Sequence, residues 1–430
     1  MRCFRGVGFA GVAVVVMLVA VGPAWASPTA YPVSEWNSNF GAGAAAHLVG
    51  DVRGNGRADA IAFYNRGGQA WVSESTGTRF TGSLEWSNRK CGNSSVQFTA
   101  DVTGDGKADL VCYYARSRQW WTALSTGSAF SSLSDWTPHF GGGATELVGD
   151  VTGDGRADAV AFYNRNGQAW VSESTGGSFS GSTDWSSGAC SSSSVQFLAD
   201  VNGDGKADLV CYYPHSSQWW VALSNGSGFG AVTEWNSSFG SGSSSQTMGD
   251  VTGDGKADPI AYDASGGQWW VSPSTGSSFS GSDEWSAGTG EGSTTQLVDD
   301  VNGDGLADAV AYYARSHQWW VALTVASPAS IAAPVVSDTT HPGAAPAPGD
   351  TLSTTNGSWT GSPTGYTYRW QDCNSGGGSC SDISGATAAT YKVSSPDVGK
   401  EVRVLVTATN AAGQTTAASN PTAVVVAPPT

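Results

Sequence analysis

One acidic segment of nine residues occurs six times in the chain and carries the side chains best suited to chemistry. The copies read DVRGNGRAD from Asp51, DVTGDGKAD from Asp101, DVTGDGRAD from Asp150, DVNGDGKAD from Asp200, DVTGDGKAD from Asp250 and DVNGDGLAD from Asp300. Carboxylates or Asn fill positions 1, 5 and 9, and Gly at positions 4 and 6 allows the chain to turn its oxygens inward. Ligation by oxygen alone suits Ca²⁺, whereas zinc would call for His or Cys. We therefore expect calcium-binding loops.

Five copies offer a full set of oxygen ligands at positions 1, 3, 5, 7 and 9, the set including a backbone carbonyl. These positions are Asp101, Thr103, Asp105, Lys107 and Asp109; Asp150, Thr152, Asp154, Arg156 and Asp158; Asp200, Asn202, Asp204, Lys206 and Asp208; Asp250, Thr252, Asp254, Lys256 and Asp258; and Asp300, Asn302, Asp304, Leu306 and Asp308. The first copy keeps Asp51, Asn55 and Asp59 but has Arg53 at position 3. We expect about five strong Ca²⁺ sites, and a sixth that is weak or empty and held by an Arg contact.

Two other interpretations of the acidic segments are weaker. An EF-hand would need a bidentate Glu at position 12, where this chain has residues such as Cys112 and Ala161. Simple Asp-Gly hairpin turns would not need carboxylates at positions 1, 5 and 9 together.

The spacing of the segments indicates a six-fold internal repeat, because their starts differ by 50, 49, 50, 50 and 50 residues. Each unit contains four short predicted strands, which in the second unit are 97–100, 108–114, 119–124 and 130–136. Four strands per unit is typical of a β-propeller blade, and the Gly, Ser, Thr, Val and aromatic content favours β structure. The fold class is therefore predicted to be all-β, with a six-bladed propeller over 31–325.

The ends of the repeat predict that the ring closes. An acid-Trp pair precedes every acidic loop, the first being Glu35-Trp36, but no such pair follows the sixth loop. We therefore expect residues 31–36 to form the outer strand of the last blade, paired with the strand around 319–323, which removes an open edge.

These loops and their period resemble the FG-GAP/VCBS repeat of integrin-α-like β-propellers. The resemblance covers about residues 31–325 and implies Ca²⁺ in the inter-strand loops and extracellular adhesion or ligand binding. Similar repeats occur in propeller lectins and beside polysaccharide-degrading enzymes. Integrin propellers have seven blades, whereas this chain has six units.

Two sets of Trp lie side by side in the third predicted strand of the units. The set present in every unit is Trp71, Trp121, Trp170, Trp220, Trp270 and Trp320. We assign this set to the core between blades. The position before it is Ala in two units and Trp in four. Because successive side chains of a strand point to opposite faces, these four Trp face away from the first set and could stack on a sugar. The candidate ligand-binding residues are Trp120, Trp219, Trp269 and Trp319 with Tyr114, Arg116, Tyr213, His215, Tyr313 and Arg315. Burial of these four Trp between blades, or contact with a protein partner, are the alternatives.

Cysteine positions predict three disulfides. Cys91 and Cys112 have the same offsets around Asp101 as Cys190 and Cys211 have around Asp200, and both partners are missing together in the sixth unit. We expect bridges Cys91–Cys112 and Cys190–Cys211, and a local bridge between Cys373 and Cys380.

The two ends of the chain carry different signals. Arg2, Arg5, an apolar run and Ala24-Trp25-Ala26 predict a Sec-type signal peptide over 1–26, although a membrane anchor is the alternative. After the repeats we expect a Pro/Ala-rich linker over 326–350 and then a β-sandwich over 351–430. That last segment resembles bacterial immunoglobulin-like modules, through YRWQDC, Tyr391, DVG from Asp397 and RVLVTATN.

Composition and motifs narrow the function classes. A net charge of −16 argues against a nucleic-acid partner, and no second segment is apolar enough to span a membrane. The five His lie at unrelated places in the repeats, and none of the common catalytic motifs is present. We therefore expect a secreted, calcium-binding, non-catalytic monomer that recognises a glycan or a cell-surface protein. A part in polysaccharide degradation, or a purely structural role, are the alternatives.

Overall fold

The computed structural model describes residues 29–30, 33–136, 139–186, 188–193, 195–410 and 412–427. The predicted signal peptide, residues 1–26, lies outside the described residues, as do Tyr31 and Pro32. The one helical element of the described chain is a 3₁₀ turn, Ser395–Asp397, and every other regular element is a strand. No helix in this part of the chain is long and apolar enough to cross a membrane.

Six antiparallel sheets of four strands form the blades, and five of them are continuous in sequence. From inner to outer strand they are Ala46–Gly50, Asp59–Tyr64, Gln69–Ser75 and Phe80–Ser87; Val96–Ala100, Asp109–Tyr114, Gln119–Ala123 and Ser134–Asp135; Thr145–Gly149, Asp158–Tyr163, Gln168–Ser174 and Phe179–Ser186; Val195–Ala199, Asp208–Tyr213, Gln218–Ala222 and Thr233–Asn236; and Ser245–Gly249, Asp258–Asp263, Gln268–Val271 and Asp283–Ser286. We number these blades 1 to 5. The all-β, six-bladed prediction is confirmed.

Blade 6 is completed by the N-terminal segment, as predicted. Thr295–Asp299, Asp308–Tyr313 and Gln318–Ala322 are joined by Ser34–Asn37, with Glu35 opposite Trp320 and Asn37 opposite Trp319. Upstream of it, Thr29–Ala30 pairs with Thr324–Val325. The outer edge of the last blade is therefore paired by a segment almost 300 residues away in sequence, which closes the ring.

The outer strand of blade 2 is shorter than the predicted stretch 130–136. It is reduced to Ser134–Asp135, and upstream of it the hydroxyl of Ser131 accepts the N–H of Leu124 (2.9 Å). A single bridge between Ser125 and Phe130 maintains the pairing upstream.

Hydrophobic clusters fill all six gaps between adjacent blades. The cluster between blades 6 and 1, for example, contains Trp36, Phe40, Ala60, Tyr312 and Trp319. Because each blade buries both faces against its neighbours, the ring is stabilised as a whole and no blade has a core of its own.

The three predicted disulfides are present: Cys91–Cys112, Cys190–Cys211 and Cys373–Cys380. The first two join the segment before an inner strand to the second strand of the same blade, in blades 2 and 4.

The C-terminal unit contains further antiparallel sheets and begins earlier than residue 351. Its strands are Ser330–Ala332, Val336–Asp338, Thr351–Thr354, Ser358–Trp359, Gly365–Cys373, Ser381–Asp382, Thr390–Lys392, Glu401–Asn410 and Gly413–Ala418. Leu352, Trp370, Val402 and Val404 share its core. The first two strands fall in the segment predicted to be a linker, so part of that segment pairs with the unit. Whether the unit is an immunoglobulin-like domain stays a prediction.

Candidate metal loops and a candidate ligand surface

The first Asp of each acidic loop caps the turn that follows it. In blade 2, Asp101 Oδ1 accepts the N–H of Gly104 (2.7 Å) and Oδ2 accepts that of Gly106 (2.7 Å). These two glycines have φ of 80° and 79°, in the left-handed region that a residue with a side chain rarely adopts. The same pair of bonds recurs in the other five loops. Position 1 therefore sets the shape of the loop.

The last Asp of each loop is fully buried and joins the loop to the C-terminal end of the third strand of its blade or to the residues just after it. Asp109 Oδ1 accepts the N–H of Ser125 (2.7 Å), and its Oδ2 accepts the N–H of Val102 (3.2 Å). Its equivalents are Asp59, Asp158, Asp208, Asp258 and Asp308, all with no exposed surface.

The acidic loops also connect neighbouring blades in a closed circuit. The N–H of Ala108 donates to the carbonyl of Asp51 in the preceding loop (2.8 Å), and the N–H of Ala58 donates to that of Asp300 (2.7 Å). The other four junctions repeat this bond between positions 8 and 1. Anything that fixes one loop therefore also fixes its contact with the next blade.

Position 5 lies nearer to solvent and is paired with the cation at position 7. Lys107 Nζ is 2.7 Å from Asp105 Oδ2, and blades 3, 4 and 5 have the same pair with Arg156, Lys206 and Lys256. In blade 6, position 7 is Leu306. Among the described residues, positions 1, 5 and 9 of a loop do not form a group of three ligating atoms within 4.8 Å. The structure thus places the predicted ligands in one loop, with the carboxylate of position 5 turned outward to its ion pair.

Blade 1 differs because a guanidinium lies against the buried carboxylate. Arg53 Nη2 is 2.7 Å from Asp59 Oδ1 and donates also to the carbonyl of Ser75 (2.6 Å), while Nη1 is 3.4 Å from Glu74 Oε2. The Arg contact expected for the first loop is present.

The five other buried carboxylates have no Lys, Arg or His within ion-pair distance in the described chain. Burial, with a smaller contribution from the acids at positions 1 and 5, raises the pKa of Asp109, Asp158 and Asp258 to about 7, of Asp208 to about 6 and of Asp308 to about 8. Burial raises the pKa of Asp59 too, but the hydrogen bond from Arg53 opposes that rise. Blades 2 to 6 therefore contain a buried Asp that has no cationic side chain beside it to favour its ionised form.

The prediction that Trp120, Trp219, Trp269 and Trp319 face a ligand is wrong. All four are 0% exposed and lie in the clusters between blades. Trp120 stacks on Phe140 at 5.5 Å, and the indole N–H of Trp319 donates to the carbonyl of Phe40 (3.1 Å). These Trp lie on the face of the third strand that packs against the next blade. Their rings are therefore part of the core between blades.

The Trp present in every unit is the half-buried set. Trp71, Trp121, Trp170, Trp220, Trp270 and Trp320 are all partly exposed, contrary to their assignment as core. In blade 1, Trp71 lies beside a cavity of about 360 Å³ with Tyr64, Gln69, Phe40 and Asn39. The equivalent cavity in blade 2 has about 230 Å³ and is lined by Tyr114, Gln119, Trp121 and Leu133.

A polar pair sits at the same place in the repeat. Gln119 Nε2 donates to Asp135 Oδ2 (2.9 Å), and Gln69 Nε2 donates to Glu85 Oε1 (3.2 Å). The same Gln–carboxylate bond is found in blades 3, 4 and 6. Sequence reasoning missed this Gln, although it stands two residues before the shared Trp in all six units.

The remaining predicted ligand residues divide into two groups. Tyr114, Tyr213 and Tyr313 are partly buried at the edge of this surface, while Arg116, His215 and Arg315 are exposed in the turns that follow them. Tyr114 lines the cavity of blade 2 with Trp121, and the ring centroids of Tyr313 and Trp320 are 6.4 Å apart.

Comparison with known proteins agrees with the repeat. Residues 101–161, 150–211 and 200–261 match the FG-GAP-like repeat family. The stretch from 101 to 261 therefore consists of FG-GAP-like repeats, which confirms the resemblance seen in the acidic loops. No curated protein sequence matches the chain significantly.

Two solved structures match part of the chain. One is that of an Agrocybe aegerita lectin recognising non-reducing terminal N-acetylglucosamine, at 23% identity and a TM-score of 0.47 over 62% of this chain and 74% of that one. The other is the Tc holotoxin pore of Photorhabdus luminescens, at 16% identity and a TM-score of 0.50 over 69% of this chain and 14% of that one. At these identities the likeness concerns the fold alone.

Proposed function

We propose that the protein is a secreted propeller, held together by Ca²⁺ in the acidic loops of blades 2 to 6, which recognises neutral glycans in the grooves beside its half-buried Trp. The observation that carries the recognition is the cavity of blade 1, which is lined by Tyr64, Gln69 and Trp71.

Calcium is supported by the contrast between blade 1 and the rest. In blade 1 a guanidinium compensates the buried Asp59. Blades 2 to 6 have the same buried carboxylate, an oxygen donor at position 3 in place of Arg53, and no basic partner among the described residues. A buried carboxyl group is paired, coordinates a metal or is neutralised through a raised pKa, and a cation bound beside it favours the ionised form. Oxygen donors without His or Cys favour Ca²⁺ over zinc.

The residues that would hold the ion are those at positions 1, 3, 5 and 9, with the carbonyl at position 7. A bound ion would supply positive charge next to the buried carboxylate. It would also compete with the position 7 side chain for the carboxylate at position 5. Because positions 1 and 8 carry the bonds between loops, fixing a loop stabilises two blades at once.

Glycan recognition is supported by the chemistry of the grooves. Sugars present apolar faces that stack on aromatic rings, and hydroxyls that need a few fixed polar groups. Trp71 and Tyr64 provide rings, and the Gln69 amide is oriented by Glu85. The carboxylate beside each Gln and the net charge of −16 would repel acidic polysaccharides, so a neutral glycan fits best.

Secretion is supported by three disulfides and by the apolar N-terminal run of the sequence. Disulfides persist in oxidising compartments, outside the reducing cytosol.

A glycan array probed with the full-length protein in Ca²⁺ tests the recognition. We expect binding to neutral glycans, and at least a tenfold weaker affinity for the double variant Trp71→Ala/Trp121→Ala. The matched control is Leu84→Ala, which removes a residue that is 55% exposed on the outer strand of blade 1. Thermal melting checks that each variant is folded. Absence of any bound glycan, or unchanged affinity of the folded double variant, would refute this assignment.

A further inference from the structure

A second group of metal-ligating side chains lies outside the acidic loops, in the C-terminal unit. Asp338 ends the strand Val336–Asp338, and Asp350 directly precedes the strand Thr351–Thr354 that pairs with it. His341 lies in the loop between them. One ligand atom from each of these three side chains lies within 4.8 Å of the other two.

Backbone donors orient both carboxylates of this group. Asp338 Oδ1 accepts the N–H groups of Thr340 (2.8 Å) and His341 (3.0 Å). On the other side of the loop, Asp350 Oδ2 accepts the N–H of Ala347 (2.8 Å). Each carboxylate therefore has one oxygen committed to the loop backbone, which fixes the direction of the other oxygen.

The two remaining oxygens and the imidazole converge. Asp350 Oδ1 is 2.8 Å from His341 Nδ1. Asp338 Oδ2 is buried and has no hydrogen-bond partner, although an unpaired buried carboxylate oxygen is costly. The Asp338 and Asp350 carboxyl groups also lie within reach of each other. Because two ionised carboxylates this close repel each other, a cation between them would satisfy both.

We propose that Asp338, His341 and Asp350 bind one first-row transition-metal ion, with Zn²⁺ as the representative. Zinc combines imidazole and carboxylate ligands and often keeps a position for water. Ca²⁺ takes six to eight oxygens and does not use imidazole, so this site differs in kind from the acidic loops.

The site is open on one side. The side chain of His341 is 66% exposed, whereas that of Asp350 is 6% exposed. Solvent supplies the remaining ligands, and the ion connects the end of one strand to the start of its partner across the loop 339–349. Metal binding therefore stabilises the C-terminal unit independently of any glycan binding.

Isothermal titration of Zn²⁺ into the full-length protein tests the proposal. The protein is first stripped with chelator and then kept in millimolar Ca²⁺, which saturates the acidic loops. We expect one equivalent of Zn²⁺ to bind, and His341→Ala to weaken that binding at least tenfold, because it removes a direct ligand. Since His341 is largely exposed, this variant should fold normally.

The matched control is Asp382→Asn, which removes an exposed carboxylate of the same unit that pairs with Arg369. It should bind Zn²⁺ as the wild type does. Asp350→Asn is a second variant at the site and should also lose the Zn²⁺. No Zn²⁺ binding by the wild type, or equal binding by folded His341→Ala, would overturn the proposal.

Discussion

Giving the first acidic loop the sequence of the third tests whether the Arg53 guanidinium takes the place of a Ca²⁺ ion in blade 1. The double variant Arg53→Thr/Asn55→Asp gives the first loop the sequence DVTGDGRAD, which the third loop already has. In chelator the variant loses the pair between Arg53 and Asp59, whose side chains are 19% and 0% exposed. Leaving a buried charge without its partner costs about 3 kcal/mol.

That loss should be visible in thermal melting. At roughly 2–4 °C per kcal/mol, the variant should melt about 6–12 °C below the wild type in chelator. In Ca²⁺ the new loop should bind an ion in place of the guanidinium. When the free Ca²⁺ concentration is tenfold above Kd, binding of that ion stabilises the folded variant by about 1.4 kcal/mol. The difference in melting temperature between variant and wild type should therefore be smaller in Ca²⁺ than in chelator.

Native mass spectrometry in Ca²⁺ supplies the second readout, and the variant should carry one more ion than the wild type. The control is Arg79→Thr, which removes an Arg from the turn before the outer strand of the same blade. It should change neither the melting temperature nor the number of bound ions. Equal melting of variant and wild type in chelator, together with equal ion counts, would refute the reasoning.

Three further predictions concern the ring. Trp219→Ala should lower stability by about 3–5 kcal/mol through a cavity between blades 4 and 5, and a chemical denaturation curve no different from the wild type would contradict that. Replacing Cys190 and Cys211 by Ser removes a bridge across 21 residues and should cost about 3 kcal/mol, measured in the same way; an unchanged midpoint would count against it. Deleting residues 27–37 should expose the edge strand Gln318–Ala322 and cause self-association, which sedimentation velocity would detect. If the deletion variant stayed a stable monomer, the N-terminal segment would not be needed to cover that edge.

The architecture could be predicted because its signals are local and repeated. Six copies of one loop gave the number of blades, and the unpaired Glu35-Trp36 gave the closing strand. The matched positions of Cys91 and Cys112 gave a disulfide. These features depend only on residues that recur at fixed spacing, so they do not require knowledge of the neighbouring blades.

Solvent exposure could not be predicted in the same way. Whether Trp120 or Trp121 is buried depends on which face of the strand the next blade covers, and alternation along a strand does not determine this. Similarly, the roles of Asp101 and Asp109 differ because one caps its own loop and the other reaches the third strand. The group of Asp338, His341 and Asp350 went unnoticed because a long loop brings its members together.

The most direct test of the account is a crystal structure of the full-length protein grown in Ca²⁺, with anomalous data to identify the ions. The account predicts an anomalous peak in each acidic loop of blades 2 to 6, and in blade 1 the Arg53 guanidinium against Asp59 with no peak. Empty loops in blades 2 to 6, or a calcium ion beside Asp59, would contradict it.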